Sequence, residues 1–330
     1  MNFKTSFKLK LQQQKFDFDE QALLLFRYQA EHNPIYKDFL RYLNIQVDEI
    51  QFINQIPFLP IEFFKTQKVE TGNFDAEVVF KSSGTTLQSR SQHFVASLAW
   101  YQLNSRIIFE QFYGSLTDYV VLALLPSYLE QGDSSLVAMV EYFITQTGQE
   151  QEGFYLHDHA ALLRSIRDAK QKQKKVLLIG VSYALLDLAE SVGGLEDFSG
   201  VIVMETGGMK GRRREMIREE LHSQLKHGLG VDTIHSEYGM TELLSQGYSK
   251  GNGIFEAGST MKILLRDLND PLAIDGNLRS GGINVIDLGN IDSCAFIETK
   301  DIGKLYTDGS FEVLGRFDNS DIRGCNLMIG

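Results

Sequence analysis

The sequence predicts a layered α/β fold with a largely parallel sheet, followed by an antiparallel β-rich segment towards the C-terminal end. Two patterns carry this. Apolar runs of strand length, Tyr119 to Leu125, Val176 to Ile179 and Val201 to Met204, alternate with stretches of helical period. After residue 258 the chain changes to short strand-like runs broken by Gly, Asn and Asp. At 330 residues and 43% hydrophobic, the chain can bury a sizeable core in one large domain or two ordinary ones.

Taken in order, residues 18–43 read as helix, with a broad apolar face over Gln21 to Tyr28 and a break at Asn33-Pro34 before a second pattern from Ile35 to Leu43. Pro57-Phe58-Leu59-Pro60 is a stiff apolar connector, and Pro60 is placed to open a short helix. Val78 to Phe80 and His93 to Val95 read as strands flanking a hydroxyl-rich turn. Residues 97–113 read as helix, 119–125 as strand, and 134–146 and 157–170 as helices. Then come a strand at Val176 to Ile179, a helix at Tyr183 to Glu190, a strand at Val201 to Met204 and a helix at Arg212 to Leu225. The late strands are Met261 to Leu265, Ile283 to Asp287, Ala295 to Glu298, Lys304 to Thr307 and Phe311 to Leu314. Asp308-Gly309 marks a hairpin between the last two. The expected organisation is a large domain over 1–316, with 258–316 as its β-rich part, and a hinge and tail over 317–330.

Net charge is −11, which argues against a nucleic-acid surface. Arg212-Arg213-Arg214 is the only dense basic run. With Glu215, Glu219 and Glu220 close by, it reads as a solvated helix face. No apolar signal core follows the N-terminus, and the run from Tyr119 to Leu125 is far too short to span a bilayer. Cys294 and Cys325 form neither a disulfide framework nor a zinc motif, so a reducing, cytoplasmic setting is expected.

Three short clusters carry the chemistry. Ser82-Ser83-Gly84-Thr85-Thr86 follows a strand. Gly84 can take a positive φ, which turns successive backbone N–H groups into one concavity, and the hydroxyls add donors able to wrap phosphate oxygens. Alone, the cluster reads equally as a turn, and it is not a Walker loop. Tyr238-Gly239-Met240-Thr241-Glu242 and Gly315-Arg316-Phe317-Asp318 lie downstream. Thr241-Glu242 by itself would read as a helix N-cap with an acidic first turn.

In this order the clusters resemble those of the adenylate-forming superfamily, which includes acyl-CoA synthetases and firefly luciferase. Ser82 to Thr86 match its phosphate loop, Tyr238 to Glu242 its Tyr-Gly-x-Thr-Glu motif, and Gly315 to Asp318 its Gly-Arg-x-Asp hinge. Within that superfamily the chain is most similar to the acyl-protein synthetases of the bacterial bioluminescence fatty-acid reductase complex. The stretches from Pro57 to Lys65, from Ser82 to Thr86, Ser91-Gln92-His93 and Arg323-Gly324-Cys325 carry that likeness. Phenylacetate-CoA ligases come next.

The resemblance implies an adenylate-forming large domain that uses ATP and Mg²⁺ to activate a carboxylic acid, expected to be a fatty acid. Phosphate would be held by Ser82, Ser83, Gly84, Thr85 and Thr86. Tyr238 and Gly239 would belong to the nucleotide site, and Gly207 and Gly208 would lie near the adenine and acyl contacts. Asp301 would take the ribose hydroxyls, Thr241 the α-phosphate and Glu242 the Mg²⁺, with Arg316 on a ribose or phosphate oxygen. The acyl group would pass to Cys325, and from there to an acceptor protein or reductase. Two departures stand out. Leu87-Gln88-Ser89-Arg90 replaces the family's Gly-x-Pro-Lys, with Arg90 the nearest substitute for the lysine. Only 12 residues follow Asp318, so most of the family's lid is expected to be absent. The sequence leaves two other functions open, an acyl- or aryl-CoA ligase and a non-catalytic acyl- or nucleotide-binding protein. His157-Asp158-His159 reads as a helix start, and His235 as either a structural residue or a contact to the acyl carboxylate.

Overall fold

In the computed structural model, all residues are described except 1, 84–89, 127–131, 149–152, 208, 210–212, 215, 275–277 and 318–330. The chain opens with three helices: α1 (Phe3–Gln12), α2 (Phe18–His32) and α3 (Pro34–Tyr42). The sequence reading has no counterpart for α1. Its signal is nevertheless present: Asn2 caps the first turn by accepting from the Thr5 N–H, and Phe7 and Leu11, one turn apart, are buried. Asn33 ends α2 and its side chain caps α3, where Pro34 occupies the first turn, as expected of that pair.

Leu59–Pro60 forms a short strand, β1, before the helix α4 (Phe63–Thr66). This differs from the sequence reading, in which Pro60 opens the helix. Leu59 and Pro60 pair in parallel with Ile297 and Glu298, so Pro60 sits at a strand end, where its missing N–H costs little. β2 (Val78–Lys81) and β3 (Gln92–Val95) form a separate antiparallel pair with Val78 opposite Val95. α5 (Leu98–Tyr113) follows, capped by Ser97.

The parallel half of the main sheet comprises β4 (Tyr119–Leu124), β5 (Lys175–Gly180), β6 (Val201–Glu205) and β7 (His235–Tyr238), paired in that order. Its crossovers run through α6 (Ser135–Gln146) with α7 (His159–Gln171), then α8 (Ser182–Val192), then α9 (Arg218–Leu229). Parallel strands need such crossovers, and burial on both faces explains continuous apolar runs such as Val121-Leu122-Ala123-Leu124. α8 and α9 pack closely at Gly228, where an added Cβ would lie 2.7 Å from that of Ala189.

The expected helix over Arg212 to Leu225 begins instead at Arg218, and Arg213 and Arg214 precede it. Arg213 is not on a solvated helix face. Its guanidinium grips Asp187 and Glu190 of α8, with Nη1 2.6 Å from Glu190 Oε1. A bidentate partner on a neighbouring helix outcompetes local i,i+4 pairing.

Beyond β7 the sheet turns antiparallel through β8 (Gly247–Ser249), β9 (Ile254–Ala257), β13 (Phe311–Arg316), β12 (Phe296–Leu305), β11 (Ser280–Asp287) and β10 (Met261–Arg266). The β-rich segment is therefore hydrogen-bonded into the parallel sheet, through Phe311 opposite Phe255 and Glu312 opposite Ile254. At this joint the rings of Tyr238, Phe255 and Phe311 pack with centroids 5.3 to 6.0 Å apart, burying one edge of Tyr238. Among the described residues, no helix is long and apolar enough to cross a membrane.

Candidate active site

The aromatic joint aims the Tyr238 hydroxyl at β12, where it donates to Asp301 Oδ2 at 3.0 Å. Asp301 and Arg316 are register partners across β12 and β13, and Arg316 Nε donates to Asp301 Oδ1 at 2.8 Å. The Asp301 side chain is 4% exposed and that of Arg316 69% exposed, so the pair presents a cation to solvent from an anchored carboxylate. The charge of Asp301 raises the Arg316 pKa further. Burial, then the charge of Asp301, pushes the Tyr238 phenol well above its ordinary value. Each Asp301 oxygen keeps a lone pair after these contacts.

Thr241 and Glu242 follow β7 in a turn held from several sides. His93 Nδ1 donates to the Thr241 carbonyl at 2.8 Å, and Asn290 Nδ2 donates to the Glu242 carbonyl at 2.8 Å. Asp287 accepts from the N–H groups of Leu244, at 2.7 Å, and Ser245, at 3.0 Å. Burial pushes Asp287 up to about 6, against its hydrogen bonds to Ser245, Leu244 and Gly289. Burial likewise raises Glu242, while a Ser91 hydrogen bond and the charges of Arg316 and Lys65 pull it back. Burial lowers His93 to about 4, so the ring is neutral at pH 7, and its donation to a carbonyl identifies the Nδ1–H tautomer.

The same strand ties the first cluster to the second. The Ser91 N–H donates to Ser82 Oγ at 3.0 Å and the Ser82 N–H to the Ser91 carbonyl at 3.1 Å, while the Ser91 hydroxyl engages Glu242. Ser82, and Ser83 next to it in the chain, are therefore tied through Ser91 to the Thr241-Glu242 turn. Arg90 does not stand free in place of the family's lysine. It is 3.0 Å from Asp133 and also donates to the Lys81 and Ser82 carbonyls, closing the base of the segment.

Gly207 follows β6 with φ +75°, a left-handed conformation that favours glycine, and its N–H donates to Glu205 Oε2 at 2.7 Å. Burial works to raise Glu205, but hydrogen bonds from His222, Ser236 and Gly207 hold it below its ordinary range. His235 accepts from or donates to the Tyr113 hydroxyl at 3.1 Å through Nδ1, and burial, then Lys250, lowers its pKa. Asp158 caps α7, as a helix start should. No cluster of three metal-ligating side chains occurs among the described residues.

The fold thus brings Ser82, Ser83, Tyr238, Gly239, Thr241, Glu242, Asp301 and Arg316 to one region, with Gly207 at the end of the adjacent strand. Gly84, Thr85, Thr86, Gly208, Asp318 and Cys325 lie outside the described residues. Sequence reasoning assigns no role to Ser91, His93, Lys65, Asp287 or Glu237. Spacing alone carries no signal for them, since they act through contacts made by distant strands.

No protein-family model and no curated protein matches the chain. Solved structures do. The ATP-bound structure of MatB from Rhodopseudomonas palustris aligns over 74% of this chain and 49% of its own, at 16% identity and a TM-score of 0.54. O-succinylbenzoate coenzyme A synthetase from Bacillus subtilis, in complex with AMP, aligns over 76% and 51%, at 18% identity and a TM-score of 0.51. 2-Hydroxyisobutyryl-CoA ligase, in complex with 2-HIB-AMP, aligns over 91% and 67%, at 13% identity and a TM-score of 0.65. The chain spans about half the length of the first two proteins. These structural neighbours are adenylate-forming acyl-CoA ligases, and the chain has the fold of their large N-terminal domain.

Proposed function

We propose that the chain activates a carboxylic acid with ATP, forming acyl-AMP and pyrophosphate. The observation that carries this is the linked set Tyr238–Asp301–Arg316 beside the Thr241-Glu242 turn, on a fold shared with ATP- and AMP-bound ligases. A carboxylate cannot expel oxide. It must first attack the α-phosphorus of ATP; a P–O bond forms, the bond to pyrophosphate breaks, and AMP becomes the leaving group. Two anions have to be brought together, so positioning and fixed donors dominate over any protein nucleophile.

In this reading Asp301 accepts the ribose hydroxyls on its remaining lone pairs, and Arg316 neutralises a phosphate or ribose oxygen at the mouth. Ser82, Ser83, Gly84, Thr85 and Thr86 wrap the outer phosphates. Thr241 donates to the α-phosphate. Gly207, Gly208, Tyr238 and Gly239 border the nucleotide and the acid. Glu242 fits Mg²⁺: it is a buried hard oxygen donor whose charged form needs a cation, and Ser91 already orients it. Bound there, Mg²⁺ would neutralise charge on the phosphates.

The acyl-protein synthetase likeness extends this proposal. A thiolate at Cys325 would attack the acyl carbon, the C–O bond to AMP would break, and the acyl thioester would await an acceptor protein or reductase. Cys294 does not suit that role. It is fully buried, and burial pushes its thiol up to about 12. A second reading, transfer to coenzyme A, is favoured by the solved neighbours, which are CoA ligases by name.

Carboxylate-dependent pyrophosphate exchange across a panel of acids tests the activation step, and no exchange with any acid overturns it. Incubation with ATP, Mg²⁺ and labelled acid, with and without coenzyme A, then separates the acceptors. Hydroxylamine-sensitive label on the protein that disappears in Cys325→Ser supports the cysteine. Label found only on coenzyme A supports the ligase.

A further inference from the structure

Glu237 and Tyr248 stand directly opposite each other across β7 and β8, so their side chains leave the same face of the sheet. α5 covers that face, with the rings of Phe112 and Tyr113 5.4 and 5.5 Å from that of Tyr248. Two polar groups at this layer lack a partner, one inside it and one at its open edge. The Tyr248 hydroxyl is buried and has no hydrogen-bond partner among the described residues. The Glu237 carboxyl makes no hydrogen bond or ion pair there either, and burial, together with the charge of Glu205, pushes it up to about 8. Buried polar groups are nearly always paired, because an unpaired one loses its hydration without compensation. Tyr248 is such a buried orphan, and Glu237, partly open on the adjacent strand, gives an entering ligand access to it.

The direction of Glu237 shows where that ligand comes from. Its Oε1 lies over Gly239, 2.4 Å from where a Cβ would stand, and Gly239 is exposed. The carboxyl thus reaches along the strand towards Thr241 and Glu242. It remains partly open, while Tyr248, its register partner, is 2% exposed.

We propose that Glu237 is a specificity-determining residue: with Tyr248 it holds a hydrogen-bond donor on the tail of the acid, so the substrate is a hydroxy- or amino-substituted carboxylic acid rather than a plain fatty acid. This rests on the acid-activating reading above. An unsubstituted alkyl tail lying here would leave both polar groups dry and unpaired. A donor on the tail satisfies the carboxyl, and its other atoms accept from the Tyr248 hydroxyl. Sites built to pair a substrate's polar group reject the analogue that lacks it far more strongly than apolar pockets reject a missing methylene.

The test is pyrophosphate exchange by the wild-type chain with acids in matched pairs of equal length: plain, hydroxy-substituted and amino-substituted at each position along the tail. At least one substituted acid is expected to exceed its plain partner in kcat/KM by roughly tenfold or more. Hydroxy and amino members of each pair identify which donor is read. In Glu237→Leu that preference should fall by about tenfold, and Glu237→Gln, which keeps an acceptor, should retain most of it. Because Leu removes an unpaired carboxyl, its melting temperature should equal or exceed that of the wild type. Exchange that favours plain acids, or shows no preference in the wild type, overturns the inference and leaves acid activation standing. A preference unmoved by Glu237→Leu places the determinant elsewhere and also overturns it. Absence of exchange with every acid defeats both readings.

Discussion

His93 Nδ1 lies 2.8 Å from the carbonyl oxygen of Thr241, joining β3 to a turn 148 residues later in the chain. The bond pins the residue immediately before Glu242, and Ser91, two positions earlier on the same strand segment, engages the Glu242 carboxyl itself. The β3 strand and the Tyr238-to-Glu242 segment are thus one mechanical unit. His93→Leu should lower pyrophosphate exchange by about tenfold, while His93→Asn, whose amide nitrogen can occupy the Nδ1 position, should keep most of the activity. Equal loss in both variants would mean that the ring's packing against Phe64, and not its donor, matters.

The same residue makes a pH prediction. Its folded pKa of about 4 lies below the unfolded value of about 6.5, so the unfolded chain binds the extra proton between these limits. His93 then contributes stability that is fully present above pH 6.5 and is lost as pH falls through 4. Denaturant titrations of wild type and His93→Asn between pH 4 and 7 should show a shallower acid slope in the variant. Parallel slopes would exclude His93 as the titrating group.

Asp301→Ala removes a carboxylate that already binds Tyr238 and Arg316 and, in the proposed function, two ribose hydroxyls. Losing those hydrogen bonds should weaken a non-hydrolysable acyl-AMP mimic by roughly 3 kcal/mol or more, over a hundredfold in Kd, measured by isothermal titration. A change below about threefold would move the ribose contact to another residue.

Glu242→Gln keeps the size of the side chain but removes its charge. Exchange should then require more Mg²⁺, with the half-saturating concentration rising about tenfold or more. Because burial disfavours the charged form of Glu242, the neutral amide should not destabilise the fold. A wild-type Mg²⁺ titration would reduce Glu242 to a turn residue.

Arg213→Ala should cost about 1 kcal/mol or less of stability, in a salt-dependent way, since its partners Asp187 and Glu190 lie at the surface. Urea denaturation at low and high salt measures it. No salt dependence would mean that the packing of the arginine stem, and not its charge, holds α8 to the segment before α9.

Most element types were legible in the chain, because periodicity and caps are local; α1, the strand at Pro60, the start of α9 and the single strand β12 from Phe296 to Leu305 were not. The alternation from Tyr119 to Leu229 reads out as parallel strands and crossover helices, and Asn33-Pro34 divides two helices where it should. The three clusters, Ser82 to Thr86, Tyr238 to Glu242 and Gly315 to Asp318, could be picked out because each is contiguous. What joins them is set by contacts between residues far apart in the chain. Asp301 meets Tyr238 because an aromatic trio ties β13 to β9, and Arg316 meets Asp301 through a strand register that no spacing encodes. Arg213 and Arg90 left their expected roles for carboxylates on other elements, since a well-placed partner outweighs a local preference of a few tenths of a kcal/mol. Glu237 was invisible for the same reason. A glutamate in a strand is ordinary, and its meaning comes from the burial, the neighbouring carboxylate and the opposing tyrosine that folding brings to it.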